Sequence, residues 1–148
     1  MLLFHPDSNF ILKAKVSAEL KEVYDVVVLV IYYDNDSWAK LCFENSAEKQ
    51  ATVVSVVTRK YSDDCNSAKL DNKYVYLTMV KKGKEFSFHF SKDNLNWKLV
   101  RHFRLEFPDD NLMIGFAAHC YVSKGFSAEF SEISYSNYTL ENIRSYKE

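Results

Sequence analysis

An all-β sandwich or barrel is the fold class this sequence predicts, and three observations predict it. Aromatic residues make up 16% of the 148 positions, with 10 Tyr and 11 Phe beside only 3 Gly and 2 Pro. Rings and β-branched side chains pack well across a pleated surface. Apolar and polar residues alternate with period two along most of the chain, and no segment sustains helical periodicity over three turns. Short polar turns separate the alternating segments at regular spacing, which indicates a sandwich or barrel.

The elements follow in order. Phe10, Leu12, Ala14, Val16 and Ala18 alternate with Ile11, Lys13, Lys15 and Ser17, a strand with one wet face. Val26 to Tyr33 is apolar throughout between Asp25 and Asp34. It is too short for a buried helix and rich in β-branched residues, so it reads as a central strand. Asp34 to Ser37 is a turn by Asx chemistry. Trp38 to Glu44 puts Ala39, Leu41 and Phe43 on one face and Trp38, Lys40, Cys42 and Glu44 on the other. Ala51 to Arg59 is the next strand, and a polar loop runs from Ser62 to about Asn72.

Tyr74 to Val80 and Glu85 to Ser91 form the clearest hairpin, turning at Lys81–Lys84, where Gly83 accepts positive φ at low cost. Trp97 to Leu105 is a strand with Trp97, Leu99, Arg101, Phe103 and Leu105 on one face. Pro108–Asp110 turns the chain into a second central strand, Asn111 to His119. Phe126, Ala128 and Phe130 alternate with Ser127 and Glu129, and then Ile133 and Tyr135 follow. The polar tail from Asn137 has room for one short helical turn. The count is about nine strands. Without linker, internal repeat or low-complexity stretch, residues 1–148 read as a single domain. The expected core holds Leu12 or Ile11, Val28, Val30, Leu41, Phe43, Val75, Leu77, Phe86, Phe88, Trp97, Ile114, Phe116, Phe126, Ala128 and Phe130.

Charge and cysteine usage exclude several function classes. With 19 Lys plus Arg against 20 Asp plus Glu, the net charge is -1. Such a balance offers no field for nucleic acid or an anionic membrane surface. No run approaches the roughly 18 apolar residues of a membrane span. Cys42, Cys65 and Cys120 lie far apart, with no CxxC pair, so neither a disulfide framework nor a zinc knuckle is expected. The first fifteen residues lack the order of a signal peptide, and a reducing cytoplasm is the expected compartment.

An ordered set of motifs resembles the DUF1349 family of regulation-of-enolase-like proteins, which looks like a branch of the concanavalin A-like lectin/glucanase superfamily. The set begins with Tyr24-Asp25, Tyr33 through Lys40, and Glu44. It continues with Val54 through Thr58, Tyr61-Ser62-Asp63, Ser91-Lys92-Asp93 and Trp97, and closes with Ile114-Gly115-Phe116 and Gly125 through Phe130. The match spans roughly residues 9–135. It implies a concanavalin A-like, antiparallel two-sheet jelly roll. Chains of the family are commonly longer before the position of Phe10, where this one has only nine residues. Related modules occur beside β-xylosidase-type glycosidases, so the resemblance implies sugar binding.

The candidate site residues are weighed against plainer roles. Alternation puts Trp38, Lys40, Cys42 and Glu44 on one side of a strand, and Tyr74, Tyr76 and Thr78 were expected nearby on another. Rings stack on sugar faces while carboxylate and ammonium groups bond hydroxyls; the plainer role is a wet face with a weak ion pair. Arg59 would bond a carboxylate, Glu44 or Asp63, or else anchor the end of its strand. Ser62-Asp63-Asp64, with Asn66 and Asp71, would form a calcium loop or a ligand-touching rim, but the spacing of a calcium motif is missing. No metal and no cofactor are expected.

Glycoside hydrolysis needs two carboxylates roughly 5–9 Å apart. Glu44 with Asp63 or Glu129 would be the pair. His5, His89, His102 and His119 show no zinc spacing. The reading is therefore a noncatalytic carbohydrate-binding module, with a glycoside hydrolase and a protein-interaction domain as the rival classes. An open sheet edge would also allow a C2 dimer.

Overall fold

A computed structural model describes residues 1–106 and 111–147. The eleven strands are β1 (Leu2–Phe4), β2 (Phe10–Ala18), β3 (Val26–Asp34), β4 (Ser37–Asn45), β5 (Ala51–Arg59), β6 (Tyr61–Lys69), β7 (Tyr74–Lys82), β8 (Glu85–Ser91), β9 (Trp97–Arg104), β10 (Met113–His119) and β11 (Ala128–Ser136). They form two antiparallel sheets, a six-stranded one in the order β1-β10-β3-β4-β5-β6 and a five-stranded one in the order β11-β2-β7-β8-β9. The antiparallel two-sheet sandwich expected from the alternation is the fold. The predicted turn at Pro108–Asp110 lies outside the described residues.

Alternation decides which side chains meet between the sheets. Val27, Leu29, Ile31, Leu41, Phe43, Val53 and Val57 from the six-stranded sheet pack against Phe10, Leu12, Val75, Leu77, Met79, Phe86, Phe88 and Phe103 from the other. Burying side chains of this size contributes about 1.5–3 kcal/mol each. The β7–β8 hairpin pairs from Tyr76↔Ser91 to Lys82↔Glu85. It turns at Gly83, whose φ of 56° suits a residue without Cβ. The Asx turn before β4 is also present, with the Asp36 amide donating to Asp34 Oδ1 at 2.9 Å.

Several expectations need correction. The polar segment after Arg59 is not a loop but strand β6, paired along β5 from Arg59↔Tyr61 to Thr52↔Lys69. It is an edge strand whose residues are almost all exposed, so no apolar alternation marks it. Trp97 does not face the core. A register irregularity beside His89 turns Phe103 inward instead, stacked on Phe86 at 5.6 Å. Trp97 lies outside, 4.6 Å from the ring of Tyr146. Val28 and Val30 are buried on the outer face of their sheet, and Phe116, Phe126, Ala128 and Phe130 are only partly buried.

The tail crosses the outer face of the five-stranded sheet without forming a helix. There Ile143 and Tyr146 pack on Ile11 and Val80. The residues before Phe10 contribute β1, paired with β10 from Leu2↔Phe116 to Phe4↔Ile114. No helix among the described residues is long and apolar enough to cross a membrane.

Candidate functional site

Pairing across the six-stranded sheet arranges its outer face in rows. Met113, Tyr32, Trp38, Thr58 and Ser62 form the first. Gly115, Val30, Lys40, Val56 and Asp64 form the second. Ala117, Val28, Cys42, Val54 and Asn66 form the third, and His119, Val26, Glu44 and Thr52 the fourth. The centre is apolar, with Val26, Val28, Val30, Cys42, Val54 and Val56 buried against one another. Both faces of β3 are therefore apolar although only one meets the opposite sheet. The outer one is covered by side chains of its own sheet and of β1, including Trp38, Tyr32 and Leu3.

A hollow of about 210 Å³ opens on this face, lined by Met1, Val28, Val30, Tyr32, Trp38, Lys40, Ala117 and His119. Small residues make the room. Gly115 is buried, and a methyl group there would overlap the Leu2 carbonyl oxygen, so only glycine lets β1 lie this close. Lys40 holds its ammonium 5.6 Å from the centre of the Trp38 ring, a cation–π distance. Among the described residues it makes no ion pair.

Burial pushes the Glu44 carboxyl above the usual range; Lys40 opposes this and the charge of Asp64 adds to it. His119 is held below the ordinary imidazole value, first by burial and then by the charge of Lys40. Its Nε2 is enclosed with no hydrogen-bond partner among the described residues. Burial raises the Cys42 thiol far above its usual range, so it is no nucleophile at neutral pH.

The structure divides the predicted site. Trp38, Lys40 and Glu44 share the face as expected. Tyr74 and Tyr76 do not join them, because β7 belongs to the five-stranded sheet. Their surroundings form a separate cluster: Lys15 Nζ lies 4.7 Å from the Tyr74 ring, and the Tyr76 hydroxyl donates to Glu132 at 3.1 Å. Arg59 reaches neither carboxylate and donates instead to the Arg104 carbonyl at 2.5 Å, tying the end of β5 to β9.

Asp63 pairs with Val57 and so points to the opposite side of β6 from Asp64. Its carbonyl accepts from Arg101 at 3.1 Å. Glu129 pairs with Ser17 in the five-stranded sheet. Neither Asp63 nor Glu129 can partner Glu44. A calcium loop at residues 62–66 is likewise undone, since a strand sends successive side chains to opposite faces. Among the described residues no cluster of three metal-ligating side chains forms.

Two residues of the face were not predicted there. The sequence places Asp64 in a polar loop and gives His119 only a lack of zinc spacing. The signal for His119 was present: it shares the parity of Gly115 and Ala117, small residues in a central strand that leave space over the sheet.

The comparisons with known proteins agree with this architecture. The family described as "Protein of unknown function (DUF1349)" matches residues 1–138. The chain belongs to the DUF1349 family. No curated protein sequence matches it. Among solved structures, a functionally unknown protein from Saccharomyces cerevisiae is 23% identical, with a TM-score of 0.74 over 91% of this chain and 71% of that one. A xylan β-1,4-xylosidase from Bacillus halodurans C-125 is 17% identical, with a TM-score of 0.74. The DUF1349 chain covers only 28% of that enzyme's length, from 87% of its own. An alginate lyase from Klebsiella pneumoniae is 11% identical, with a TM-score of 0.58 over 86% of this chain and 59% of that one. At these identities the likeness is one of fold.

Proposed function

We propose that this DUF1349 protein is a noncatalytic carbohydrate-binding module whose ligand lies on the outer face of the six-stranded sheet. The observation that carries the reading is the Trp38 ring beside Lys40, which makes no ion pair among the described residues, at the rim of an apolar hollow. A pyranose has an apolar face that suits an indole and hydroxyls that accept from an ammonium group. The hollow is smaller than the roughly 300–1,000 Å³ of pockets that engulf a small molecule. It suits a ring laid against the sheet.

Trp38 and Glu44 are six residues apart on one strand, roughly 20 Å at strand rise. No single sugar ring touches both, so Glu44 would meet a further unit of an oligosaccharide running along β4. That a related sandwich forms part of a xylosidase makes xylose-containing chains the first ligands to try.

Hydrolysis takes second place, favoured by one observation: a half-buried carboxyl with a raised pKa, as at Glu44, suits a general acid. Among the described residues its only carboxylate neighbour on the face is Asp64. Two strands and four residues separate their backbones, roughly 16 Å, although the charge of Asp64 reaches the Glu44 carboxyl.

A glycan array followed by calorimetry on each hit tests the reading. A xylooligosaccharide is expected to bind, and Trp38→Ala to weaken it by about tenfold or more, the scale of a lost stacking contact. Absence of any binding tighter than millimolar across plant, microbial and host glycans would overturn it. Release of reducing sugar, lost in Glu44→Gln, would instead establish the hydrolase.

A further inference from the structure

Resting on the carbohydrate reading, we propose that the sugar unit seated in the hollow is acidic, a uronic acid whose carboxylate pairs with Lys40. The inference comes from the charge of the wall. Of the eight lining residues five are uncharged, Val28, Val30, Tyr32, Trp38 and Ala117, and Met1 brings the amino terminus to the edge. The remaining two are Lys40 and His119. No carboxylate lines the hollow, and Lys40 has no ion-pair partner among the described residues.

Lys40 stands at the rim of an apolar hollow with no carboxylate in direct contact among the described residues, and feels Glu44 only at a distance. Its field reaches the hollow, since it is one of the two causes that hold His119 below the ordinary imidazole value. This bias toward the neutral ring leaves Lys40 as the cation of the lining side chains. The enclosed Nε2 of His119 lacks a partner, a condition that costs about 1–3 kcal/mol, and an oxygen of the ligand that drew the ring round would relieve it.

The two acids of the face lie elsewhere. Asp64 sits across Val56 from Lys40, on the side away from the hollow. Glu44 lies two rows along β4, with Cys42 between. A ligand seated in the hollow therefore has Lys40 beside it and no carboxylate in the wall. A neutral sugar would use Lys40 as a hydroxyl partner only. A uronate would in addition place its carboxylate against the ammonium, a charge-assisted bond of the stronger kind.

The test is calorimetry on the full chain with three probes: tetragalacturonate, its fully methyl-esterified form, and neutral xylotetraose. The ester keeps the sugar chain but replaces each charge with a methyl group. The proposal expects the acid to bind about tenfold more tightly than the ester, the scale of one charged hydrogen bond. It also expects Lys40→Met, which keeps an apolar stem on the sheet, to bring the acid-to-ester ratio close to one. Equal binding of acid and ester, or preference for the ester, overturns the acidic ligand, and binding of xylotetraose in the same series would leave the carbohydrate reading standing. A ratio unchanged in Lys40→Met also overturns it, by placing the acid elsewhere. No binding of any of the three overturns the acidic ligand, and the carbohydrate reading is then decided by the glycan array.

Discussion

Ser55 is the clearest single-residue exception to the packing logic of the fold. It lies on the core side of β5 between Val53 and Val57, fully buried, and its hydroxyl has no hydrogen-bond partner among the described residues. Replacing an unpartnered buried hydroxyl with a hydrogen removes its desolvation cost, so Ser55→Ala is expected to raise stability by about 1 kcal/mol. Phe88, fully buried in the same core, has the opposite sign. Phe88→Ala should lose roughly 3–5 kcal/mol. Urea unfolding of both variants checks the pair; a stable Phe88→Ala or a destabilised Ser55→Ala would contradict the packing described.

His89 adds a pH dependence. It is buried, and its Nε2 lies 2.9 Å from Ser87 Oγ and 3.1 Å from the carbonyl of Ile143. Burial lowers its pKa to about 4, and the bond to Ile143 only partly opposes this. The unfolded chain takes up the proton near pH 6.5 while the folded one does not, so the neutral form's contribution is complete above that pH. It falls away as the pH drops toward 4, by up to roughly 3 kcal/mol. His89→Gln should flatten this loss between pH 7 and 4.5. An equal slope in variant and wild type would place the titration elsewhere.

At the scale of elements, β1 and β6 show opposite ways in which a strand escapes sequence reading. β6 carries Tyr61, Ser62, Asp63, Asp64, Cys65 and Asn66, and its polarity follows from its place at the edge, where both faces meet water. Only the single residue Lys60, at φ 66°, marks the reversal from β5. β1 is short and is held by what β10 lacks, a side chain at Gly115. Gly115→Ala should detach β1 while the core persists, at a cost of about 1–3 kcal/mol. Hydrogen exchange at Leu2 to Phe4 reads this directly, and retained protection there would contradict the close approach.

By contrast, the phase shift in β11 was legible. Phe126, Ala128 and Phe130 followed by Ile133 and Tyr135 is the pattern of the irregularity observed between Ser131 and Ser134, where Glu132 takes a φ of 48°. The comparable slip in β9 left no such trace, because Trp97, Leu99 and Phe103 keep one parity straight through it.

At the scale of the whole molecule, alternation told which residues share one side of a strand but not which strands share a sheet. Trp38, Lys40 and Glu44 were legible as a set because they lie on one strand. Tyr74 and Tyr76 were misplaced because pairing between distant strands is set by the chain's crossings between sheets, which period-two patterning does not encode. The two aromatic groups consequently mark opposite outer faces of the sandwich, and the account assigns ligand binding to one of them.

Titration of isotope-labelled protein with xylotetraose and tetragalacturonate, followed by NMR shift changes, tests that assignment most directly. The account predicts shifts at the Trp38 indole, at Val28, Val30 and Ala117, and at the Met1 methyl, with Tyr74, Tyr76 and Glu132 unmoved. Shifts confined to the Tyr74–Tyr76 face, or none with any glycan, would contradict it.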